Sequence, residues 1–410
     1  MRILFLTSRM PSPPVGGDRF RVYHILRTAA EAGHRIDLVS FDDGHTDRSA
    51  LEPLRRFTST LEIVEMPRLL SWYRAARALP TNFPLQAAYY RSEEMGRRVA
   101  RAFDRSAPDT VYTHLFRMAP YALAERGRRH ARWILDLTDV ISIGIARSLP
   151  FRRGPQRWLY REEGRRIARY EALVAPRFDE CWVISAAESR ALELLAPRAR
   201  ARVVPNGFEP ERGVDATPRD AARLLFFGNH DVLHNRDAAR FLVKDVFPLV
   251  RRAVPSVTLA IAGKGCDGLG AWARTPGVEV LGFLPDLEPE LRRASLFVAP
   301  HRFAAGVQNK VLQALAAGTP VVTTPIVLQG LAPSPDNIVG IGEGAAGVAE
   351  RVTSLLRRPE EAASLGERGR LWASTRFHWR ESLEAFEGSA APAPGEERVP
   401  AAARLAVASA

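Results

Sequence analysis

The chain has 410 residues, which is too long for one ordinary core and predicts two domains of about 150–200 residues each. Its 58 basic and 46 acidic residues give a formal net charge of +12, and nearly all of the positive charge is arginine. No apolar run approaches the roughly 20 residues that span a membrane, and the apolar stretch near the start is too short for a secretory signal. The composition therefore predicts a cytoplasmic protein.

The two cysteines and the excess of arginine limit the range of partners. Cys181 and Cys266 are far apart in the sequence, so neither a disulfide framework nor a metal cluster is expected. Arginine suits bidentate contacts to phosphate and contacts to anionic lipid surfaces. The sequence lacks zinc-ligand spacing, a heptad-linked basic helix and an aromatic RNA-binding signature, so nucleic acid is not an expected partner.

The first half of the chain alternates short apolar strands with helical stretches. Near-continuous apolar strands are typical of a doubly wound parallel sheet, whose two faces are both covered. A polar stretch with two prolines, residues 209–219, then predicts a linker. The strands predicted before it are residues 2–7, 35–40, 61–65, 110–114, 133–137, 180–184 and 202–205.

A second series of strands and helices follows the linker. The sequence therefore predicts an α/β protein with two Rossmann-like domains, residues 1–210 and 220–385, that face a central cleft with ligands at the carboxyl ends of the strands. The last helix, about 359–387, is expected to cross back to the first domain, and residues 388–410 are expected to be disordered. The second set of predicted strands is 223–227, 257–262, 278–281, 296–299, 320–323 and 337–341.

Gly16 and Gly17 follow the first predicted strand and precede a helix. Paired glycines there let backbone N–H groups approach an anion at the helix N-terminus, although a flexible turn is the alternative. The GxGxxG spacing of a dinucleotide site is missing, which argues against an NAD-dependent enzyme.

Three side chains in the first domain are candidates for chemistry at the carboxyl ends of strands. His114 ends the fourth predicted strand, where it could orient or deprotonate a sugar hydroxyl, or serve as a structural histidine. Asp136 and Asp139 lie at and after the fifth strand and either accept hydrogen bonds from sugar hydroxyls or cap the next helix. Asp139 is the stronger functional candidate.

Residues 147–178 combine arginines with aromatic residues at helical spacing. This composition suits a surface helix on anionic lipid, with Trp158 as an anchor, or a solvated charged helix packed on the sheet. Because Glu162, Glu163 and Glu171 neutralise part of the basic face, the packed helix is favoured.

In the second domain, Gly228 and Asn229 come immediately after a strand. Glycine allows close approach of a ligand, which fits a nucleotide diphosphate at this loop. His234, Asn235 and Asp237 follow and are interpreted as the start of the next helix.

Residues 301–322 contain the strongest candidate site, a polar loop followed by an apolar helix. The N–H groups of such a loop point out of a helix start with a positive dipole, and two cations and a glycine converge on it. A simple helix cap does not explain that convergence, so the sequence predicts a diphosphate site. Its predicted members are Arg302, Gly306, Val307, Gln308, Asn309 and Lys310.

The ordered series of motifs resembles the GT-B glycosyltransferases of the retaining, family-4 (group 1) type, and among them the sugar transferases associated with exopolysaccharide synthesis. The resemblance covers about residues 1–385. It is carried by the Gly16-Gly17 loop and by the segments PDTVYTH, YEALVAPRFDECWVIS, VVPNGFEP, FFGN, GFLPDLEPELRRASLFVAP and AGVQNKVLQALAAGTPVV.

The resemblance implies a metal-independent, retaining hexosyltransferase in which a nucleotide-sugar donor binds the second domain and a saccharide or lipid-linked acceptor binds the first. It implies catalytic or phosphate roles for His114, Arg302 and Lys310, and donor contacts from Gly17 and Gly228. Peripheral contact with the inner face of the cell membrane, through anionic lipid, is a further expectation. A catalytically inactive sugar-nucleotide-binding partner and a nucleotide-sugar epimerase of the same fold are the alternatives.

Two positions depart from the pattern of many relatives, which have two glutamates in the last motif. The matching residues here are Ala305 and Gln313. The amide oxygen of Gln313 can still accept a hydrogen bond from a ribose hydroxyl, without the charge assistance of a carboxylate.

Overall fold

Two parallel β-sheets, each covered by helices, make up the protein. The computed structural model describes residues 1–14, 16–42, 44, 51–127, 130–208, 219–303, 307–331 and 337–388. Residues 209–218 of the predicted linker, Ala305, Gly306 and residues 389–410 of the predicted tail lie outside the described residues.

The first sheet has seven parallel strands in the order β3-β2-β1-β4-β5-β6-β7. Its central strands are buried along almost their whole length, as expected for strands that are covered on both faces. The strands are β1 Arg2–Thr7, β2 Arg35–Asp42, β3 Thr60–Glu65, β4 Thr110–His114, β5 Arg132–Thr138, β6 Glu180–Val183 and β7 Ala201–Val203.

The second sheet has six parallel strands in the order β10-β9-β8-β11-β12-β13. The predicted α/β class and the two-sheet architecture are therefore confirmed. The strands are β8 Arg223–Phe227, β9 Thr258–Ala262, β10 Val278–Gly282, β11 Leu296–Ala299, β12 Val321–Thr323 and β13 Gly340–Ile341.

Helices connect the strands and cover both faces of each sheet. A π-helical turn, Leu242–Val246, joins α10 to α11, and short 3-10 helices occur at Phe116–Met118, Leu149–Phe151, Ala175–Arg177 and Cys266–Arg274. The α-helices are α1 Gly17–Glu31, α2 Glu52–Phe57, α3 Arg68–Arg77, α4 Leu85–Tyr89, α5 Glu93–Ser106, α6 Ala119–Glu125, α7 Ile141–Ser148, α8 Gly154–Val174, α9 Ala186–Leu195, α10 Leu233–Phe241, α11 Phe247–Ala253, α12 Glu288–Arg293, α13 Asn309–Ala316, α14 Pro325–Leu331, α15 Gly344–Arg357, α16 Pro359–Arg376 and α17 Arg380–Glu387.

The predicted strand boundaries differ from the structure by up to three residues, and proline accounts for two of the differences. Strand β7 ends at Val203, before Pro205, and β12 begins at Val321, after Pro320. Proline has no backbone N–H to donate to a neighbouring strand, so it lies outside the ladder in both places.

The chain passes between the two sheets at two adjacent segments. Phe208 donates its backbone N–H to the carbonyl of Phe377 at 3.1 Å. A Cβ on Gly207 would lie 2.3 Å from the backbone nitrogen of Trp379, so only glycine allows the two segments to approach this closely. The segment with Gly207 and Phe208 leads from the first sheet to the second, and the segment from Phe377 to Trp379 leads back to the first.

The final helix, α17, packs on the first sheet. Phe386 lies in the same buried cluster as Phe5, Tyr112 and Trp182, and its carbonyl accepts a hydrogen bond from Arg132 at 2.8 Å. The single helix expected over residues 359–387 is therefore two helices, α16 and α17, separated where the chain turns back. None of the helices in the described part of the chain is long and apolar enough to cross a membrane.

Candidate active site

The residues proposed from sequence lie at the switch point of each sheet, where strand order reverses. In the first sheet β1 and β4 are neighbours, so the loop of Gly16 and Gly17 lies beside the end of β4 at His114. In the second sheet β8 and β11 are neighbours, so Gly228 and His301 follow adjacent strands. Ligands of doubly wound sheets bind at this position, outside the carboxyl ends of the strands.

Lys310 is the centre of the second-domain site. Its side chain is buried, with a relative exposure of 8 % for the residue. The ammonium Nζ donates to Asn235 Oδ1 at 2.7 Å and to Gln308 Oε1 at 2.9 Å, and lies 3.4 Å from His301 Nε2. All of these partners are uncharged. Among the described residues, the ammonium therefore has hydrogen-bond partners but no carboxylate partner.

Burial controls the protonation of this cluster. Because desolvation disfavours the charged form, the pKa of Lys310 is lowered to about 7. Burial and the charge of Lys310 lower the pKa of His234 to about 3 and that of His301 well below its usual value. Both histidines are thus neutral near pH 7, and a bound anion would favour the charged form of Lys310.

Gly228 brings the backbone of the β8 loop against the Lys310 cluster. A Cβ on Gly228 would lie 3.1 Å from Asn235 Cγ and 3.3 Å from Lys310 Cε. Asn229, the next residue, accepts a hydrogen bond from Asn235 Nδ2 at its carbonyl, 2.9 Å away. Gly263, on the following loop, has φ +119°, and its Cβ would lie 2.0 Å from the Gly228 carbonyl oxygen. A side chain at position 228 would press on Asn235 and Lys310, and one at position 263 would collide with the backbone of Gly228.

Arg302 lies apart from these contacts. Its guanidinium forms a bidentate ion pair with Asp237, with the Nε donating to Oδ2 at 2.9 Å, and this pairing raises its pKa. Its central carbon is 5.3 Å from the ring centroid of Phe151, which stacks on Phe303 at 4.0 Å. Arg302 and Lys310 therefore have different hydrogen-bond partners in this structure, and a phosphate role for Arg302 remains a prediction.

A chain of hydrogen bonds links the two domains beside Lys310. Arg21 donates to Asp136 Oδ2 at 2.7 Å and to Asn206 Oδ1 at 2.8 Å, and both Arg21 and Asp136 are fully buried. Asn206 Nδ2 then donates to Asn309 Oδ1 at 2.8 Å. Because Asn309 precedes Lys310, the buried ion pair of the first domain fixes the start of α13 in the second.

His114 occupies the first-domain switch point, as predicted from its place at the end of β4. It is buried, its Nε2 lies 3.5 Å from Thr138 Oγ1, and burial lowers its pKa to about 4. Leu115, which follows β4, and Thr138, which ends β5, have φ +66° and +61°. Positive φ is unfavourable for these residue types, so strained backbone is concentrated around His114.

Asp139 lies beside a group of buried carboxylates at the start of α7. Burial and the neighbouring Glu188 raise its pKa to about 7. Glu188 accepts from the Val140 N–H at 2.7 Å, and Glu171 accepts from Ile141 N–H and the Ser142 side chain. Glu171 and Glu188 therefore supply the cap of α7, and the side chain of Asp139 remains available for another role.

Gly16 and Gly17 begin α1, as the sequence predicts. Gly16 has φ +98°, and a Cβ on Gly17 would lie 3.7 Å from Asn309 Nδ2 in the other domain. Asp18 lies in the first turn, and although burial opposes ionisation, the charges of Arg9 and Arg117 help to lower its pKa. The helix N-terminus therefore faces the second domain and already carries one carboxylate.

Sequence reasoning gave too little weight to several residues of the assembled site. Asn235 is not only a helix-start residue, because its side chain binds Lys310. No sequence motif marks Arg21, Asn206 or His301 as site residues. These three residues are far apart in the sequence, and only the fold brings them to the cleft. Val307 is buried in the loop before α13, and Gln313 on α13 is half-buried. Gly306 lies outside the described residues.

The structure supports the packed interpretation of α8 over its second half. Glu163 accepts from the backbone N–H groups of Leu85 and Gln86, both at 3.0 Å. Glu171 is fully buried against α7. The first turns of the helix, in contrast, are exposed.

The fold and the site define a two-domain α/β protein whose buried cation faces a cleft between two doubly wound sheets. Residues 16–207 match the family described as "Glycosyl transferase 4-like domain", and residues 221–358 match the family described as "Glycosyl transferases group 1". The chain therefore belongs to the group 1 glycosyltransferases of the GT-B fold and is a glycosyltransferase.

Similarity to individual proteins extends over almost the whole chain. The glycogen synthases of Mycobacterium tuberculosis strains CDC 1551 / Oshkosh and ATCC 25618 / H37Rv are each 26% identical over 421 residues, covering 93% of this chain and 92% of theirs. The sucrose-phosphate synthase of Thermosynechococcus elongatus has a TM-score of 0.70 at 17% identity, covering 94% of this chain and 98% of its own. HepE of Anabaena, in complex with UDP, has a TM-score of 0.65 at 15% identity, covering 95% and 99%. At these identities the structural likeness shows the fold.

Proposed function

We propose that the enzyme transfers a sugar from a nucleotide-sugar donor to a saccharide or lipid-linked acceptor in the synthesis of an exopolysaccharide or another cell-surface glycan. The donor binds at the Lys310 cluster of the second domain, and the acceptor binds near His114 and Asp139 in the first. Family membership supports this proposal, as do similar structures: HepE was solved with UDP and with UDP-glucose. Both cysteines are buried and neither forms a disulfide, which is consistent with a reducing, cytoplasmic compartment.

The observation that carries the proposal is the buried ammonium of Lys310. Removing a cation from water without a counterion costs free energy, which the lowered pKa reflects. A diphosphate would supply the missing negative charge. Gly228 and Gly263 let the two loops pack against each other and against the Lys310 side chain, which places the backbone of the β8 loop beside the ammonium.

Departure of the nucleoside diphosphate is the step in which negative charge develops. Lys310 and the N-terminus of α13 stabilise that charge in a site with little water, where electrostatic stabilisation is strongest. We propose that this positive charge makes a metal ion unnecessary and that Arg302 contributes to it after exchanging Asp237 for phosphate. Retention at the anomeric carbon is proposed from the family resemblance.

His114 orients the acceptor hydroxyl in this mechanism. With a pKa of about 4, the imidazole is neutral near pH 7 and can accept or donate a hydrogen bond without carrying charge. A departing phosphate oxygen can itself take the acceptor proton on the same face of the sugar. His114 is therefore a positioning residue and not the required base.

The test of the proposed function is a calorimetric titration with UDP-, GDP- and dTDP-sugars, followed by an assay for hydrolysis and transfer. Binding together with turnover supports the transferase. Binding without turnover favours an inactive sugar-nucleotide-binding partner, and interconversion of the free sugar nucleotide favours an epimerase. Absence of binding to every donor would contradict the role assigned to Lys310.

Nucleotide binding is expected to weaken as the pH rises above about 7. Lys310 loses its proton near this pH in the free enzyme, and a bound diphosphate raises its pKa by favouring the ammonium. Binding then takes up a proton, and the affinity falls by up to about tenfold per pH unit. Calorimetric titration of the tightest-binding nucleotide in buffers of different ionisation enthalpy measures the number of protons taken up on binding. Lys310→Arg remains charged and should lose this pH dependence; if it does not, another group is responsible.

Replacing His114 with alanine is expected to lower kcat at least about tenfold, because the acceptor hydroxyl loses its orientation. The donor KM should change little, because the donor site is in the other domain. Steady-state kinetics with the correct donor and acceptor measure both values. His130→Ala, at an exposed histidine of the same domain, is the control. An unchanged kcat in His114→Ala would remove this residue from the mechanism.

A further inference from the structure

A cation that the mechanism does not use lies at the carboxyl end of β4 in the first domain. Arg117 belongs to the short helix Phe116–Met118, and its Nε is buried with no hydrogen-bond partner in the described part of the chain. Its guanidinium carbon lies 5.3 Å from the ring centroid of Tyr90 and 5.8 Å from that of Phe116. Aromatic rings attract a cation but do not neutralise it. Burial therefore remains the largest influence on Arg117 and lowers its pKa.

The charged side chains around Arg117 do not balance. Arg9, just after β1, forms an ion pair with Asp18 at 3.3 Å. Asp18 attracts Arg117 only at longer range, and no carboxylate among the described residues forms an ion pair with Arg117. Because His114 is neutral near pH 7, two arginines here face a single carboxylate. This end of the first sheet therefore has an excess of positive charge.

Buried hydroxyl groups at the same strand ends also lack partners. Thr7 and Ser8, at and after the end of β1, and Thr113, on β4, have relative exposures of at most 1 %. The side-chain oxygen of each has no hydrogen-bond partner in the described part of the chain. Buried polar groups are normally hydrogen-bonded. The ends of β1 and β4 therefore have unused capacity to bind polar groups, in addition to the excess charge.

We propose that Arg117, assisted by Arg9, binds an anionic group of the acceptor, so that the acceptor is a saccharide that carries a carboxylate or a phosphate. A guanidinium binds such groups through two parallel hydrogen bonds, which the ring of Tyr90 cannot offer. The anion supplies the negative charge that the chain itself does not place beside Arg117. Because His114 is the positioning residue for the acceptor hydroxyl, the inference rests on the proposed function and adds the chemical class of the acceptor.

Ligand-observed saturation-transfer NMR tests this site on the enzyme saturated with its tightest-binding nucleoside diphosphate, which fills the Lys310 site. Glucuronate and glucose 6-phosphate carry the two anionic groups on one sugar, and glucose is the neutral control. Acetate and methyl phosphate repeat the comparison without a sugar, with methanol as their neutral control. At least one of the two groups should bind at least about tenfold more tightly than its neutral control, as expected for a charge-assisted hydrogen bond. The group that binds more tightly identifies the acceptor as a carboxylate or a phosphate.

Four variants separate a binding role of Arg117 from a structural one. Arg117→Gln should abolish the preference for anions without changing nucleotide affinity, and Arg117→Lys should keep part of it, because lysine retains the charge but not the paired donors. Asp18→Asn should strengthen anion binding about twofold to fivefold, because it removes the competing carboxylate. Arg27→Gln, about 15 Å along α1 from Gly17, is the matched control and should bind every probe as the unmodified protein does. Thermal denaturation shows that each variant is folded, and Arg117→Lys decides the question if Arg117→Gln does not fold.

Three results would overturn the proposal: equal binding of charged and neutral probes, a preference that survives unchanged in the Arg117 variants, or weaker anion binding by Asp18→Asn. A loss of nucleotide affinity in Arg117→Gln would also overturn it, by assigning the guanidinium to the donor. The proposed function fails in a different way, when no nucleotide-sugar binds. The anion probes are therefore measured on the free enzyme as well, so that the two failures are distinguishable.

Discussion

Replacing Lys310 with methionine is expected to lower kcat/KM by a factor of about 10²–10³ while leaving the fold at least as stable. The methionine side chain has a similar length but no charge, so the leaving diphosphate loses its buried cation. Its effect on stability should be neutral or favourable near pH 7, because the unliganded protein no longer buries an ammonium without a counterion. Donor-saturation kinetics and thermal denaturation of the same sample measure the two effects.

The opposite signs of these effects distinguish a functional role for Lys310 from a structural one. A lysine that merely held Asn235 and Gln308 in place would lose activity and stability together when replaced. Lys264→Met is the matched control, because Lys264 is exposed and its Nζ lies 3.9 Å from Asp231. Its kcat/KM should stay within about twofold, as for an exposed pair of little energetic value. A similar loss in both variants would contradict the special role of Lys310.

Replacing Arg21 with methionine is expected to destabilise the protein by about 3–5 kcal/mol, the usual effect of removing one partner of a buried ion pair. The buried Asp136 side chain would lose its ion-pair partner, and the carbonyl of Val204 and the amide of Asn206 would lose a donor. Urea denaturation followed by fluorescence measures the free energy of unfolding. Activity should fall as well, because Asn206 positions Asn309 at the start of α13.

Two further variants test this explanation. Arg27→Met, on the same helix, removes an exposed pair with Glu31 and should cost no more than about 0.5 kcal/mol. The double variant Arg21→Met/Asp136→Asn should be less destabilised than the sum of the two single variants, because it leaves no unpaired buried charge. Full additivity, or equal stability of the Arg21 and Arg27 variants, would show that the pair is not coupled as proposed.

Much of the fold could be predicted from the sequence because its strands are covered on both faces. Strands such as Arg223–Phe227 are buried at every position, and a short apolar run between polar segments reveals them without any knowledge of their neighbours. Two of the errors at strand ends lie at Pro205 and Pro320, which have no N–H to donate, whereas the ends of β2 and β13 have no such local signal. The glycine loops could be found for the same reason, since Gly228 immediately follows β8 and Gly16 and Gly17 lie between β1 and α1.

The site could be predicted only in part, because its contacts join residues that are distant in sequence. Asn235 lies 75 positions before Lys310 and looked like a helix-start residue, since its long-range partner leaves no local pattern. The link from Arg21 through Asn206 to Asn309 has the same property. The ion pair of Arg302 with Asp237 likewise joins residues 65 positions apart, and no local pattern indicates it.

The return of the chain to the first sheet has a consequence for biosynthesis. The ribosome delivers the two segments of the first domain at different times, because Phe386 and the rest of α17 emerge after the whole second domain. The second domain is contiguous, so it can complete its core first. Until α17 arrives, Phe5, Tyr112 and Trp182 lack the ring of Phe386 that packs against them, and an aromatic surface stays open on the nascent chain. Such a surface is a natural binding site for chaperones during translation.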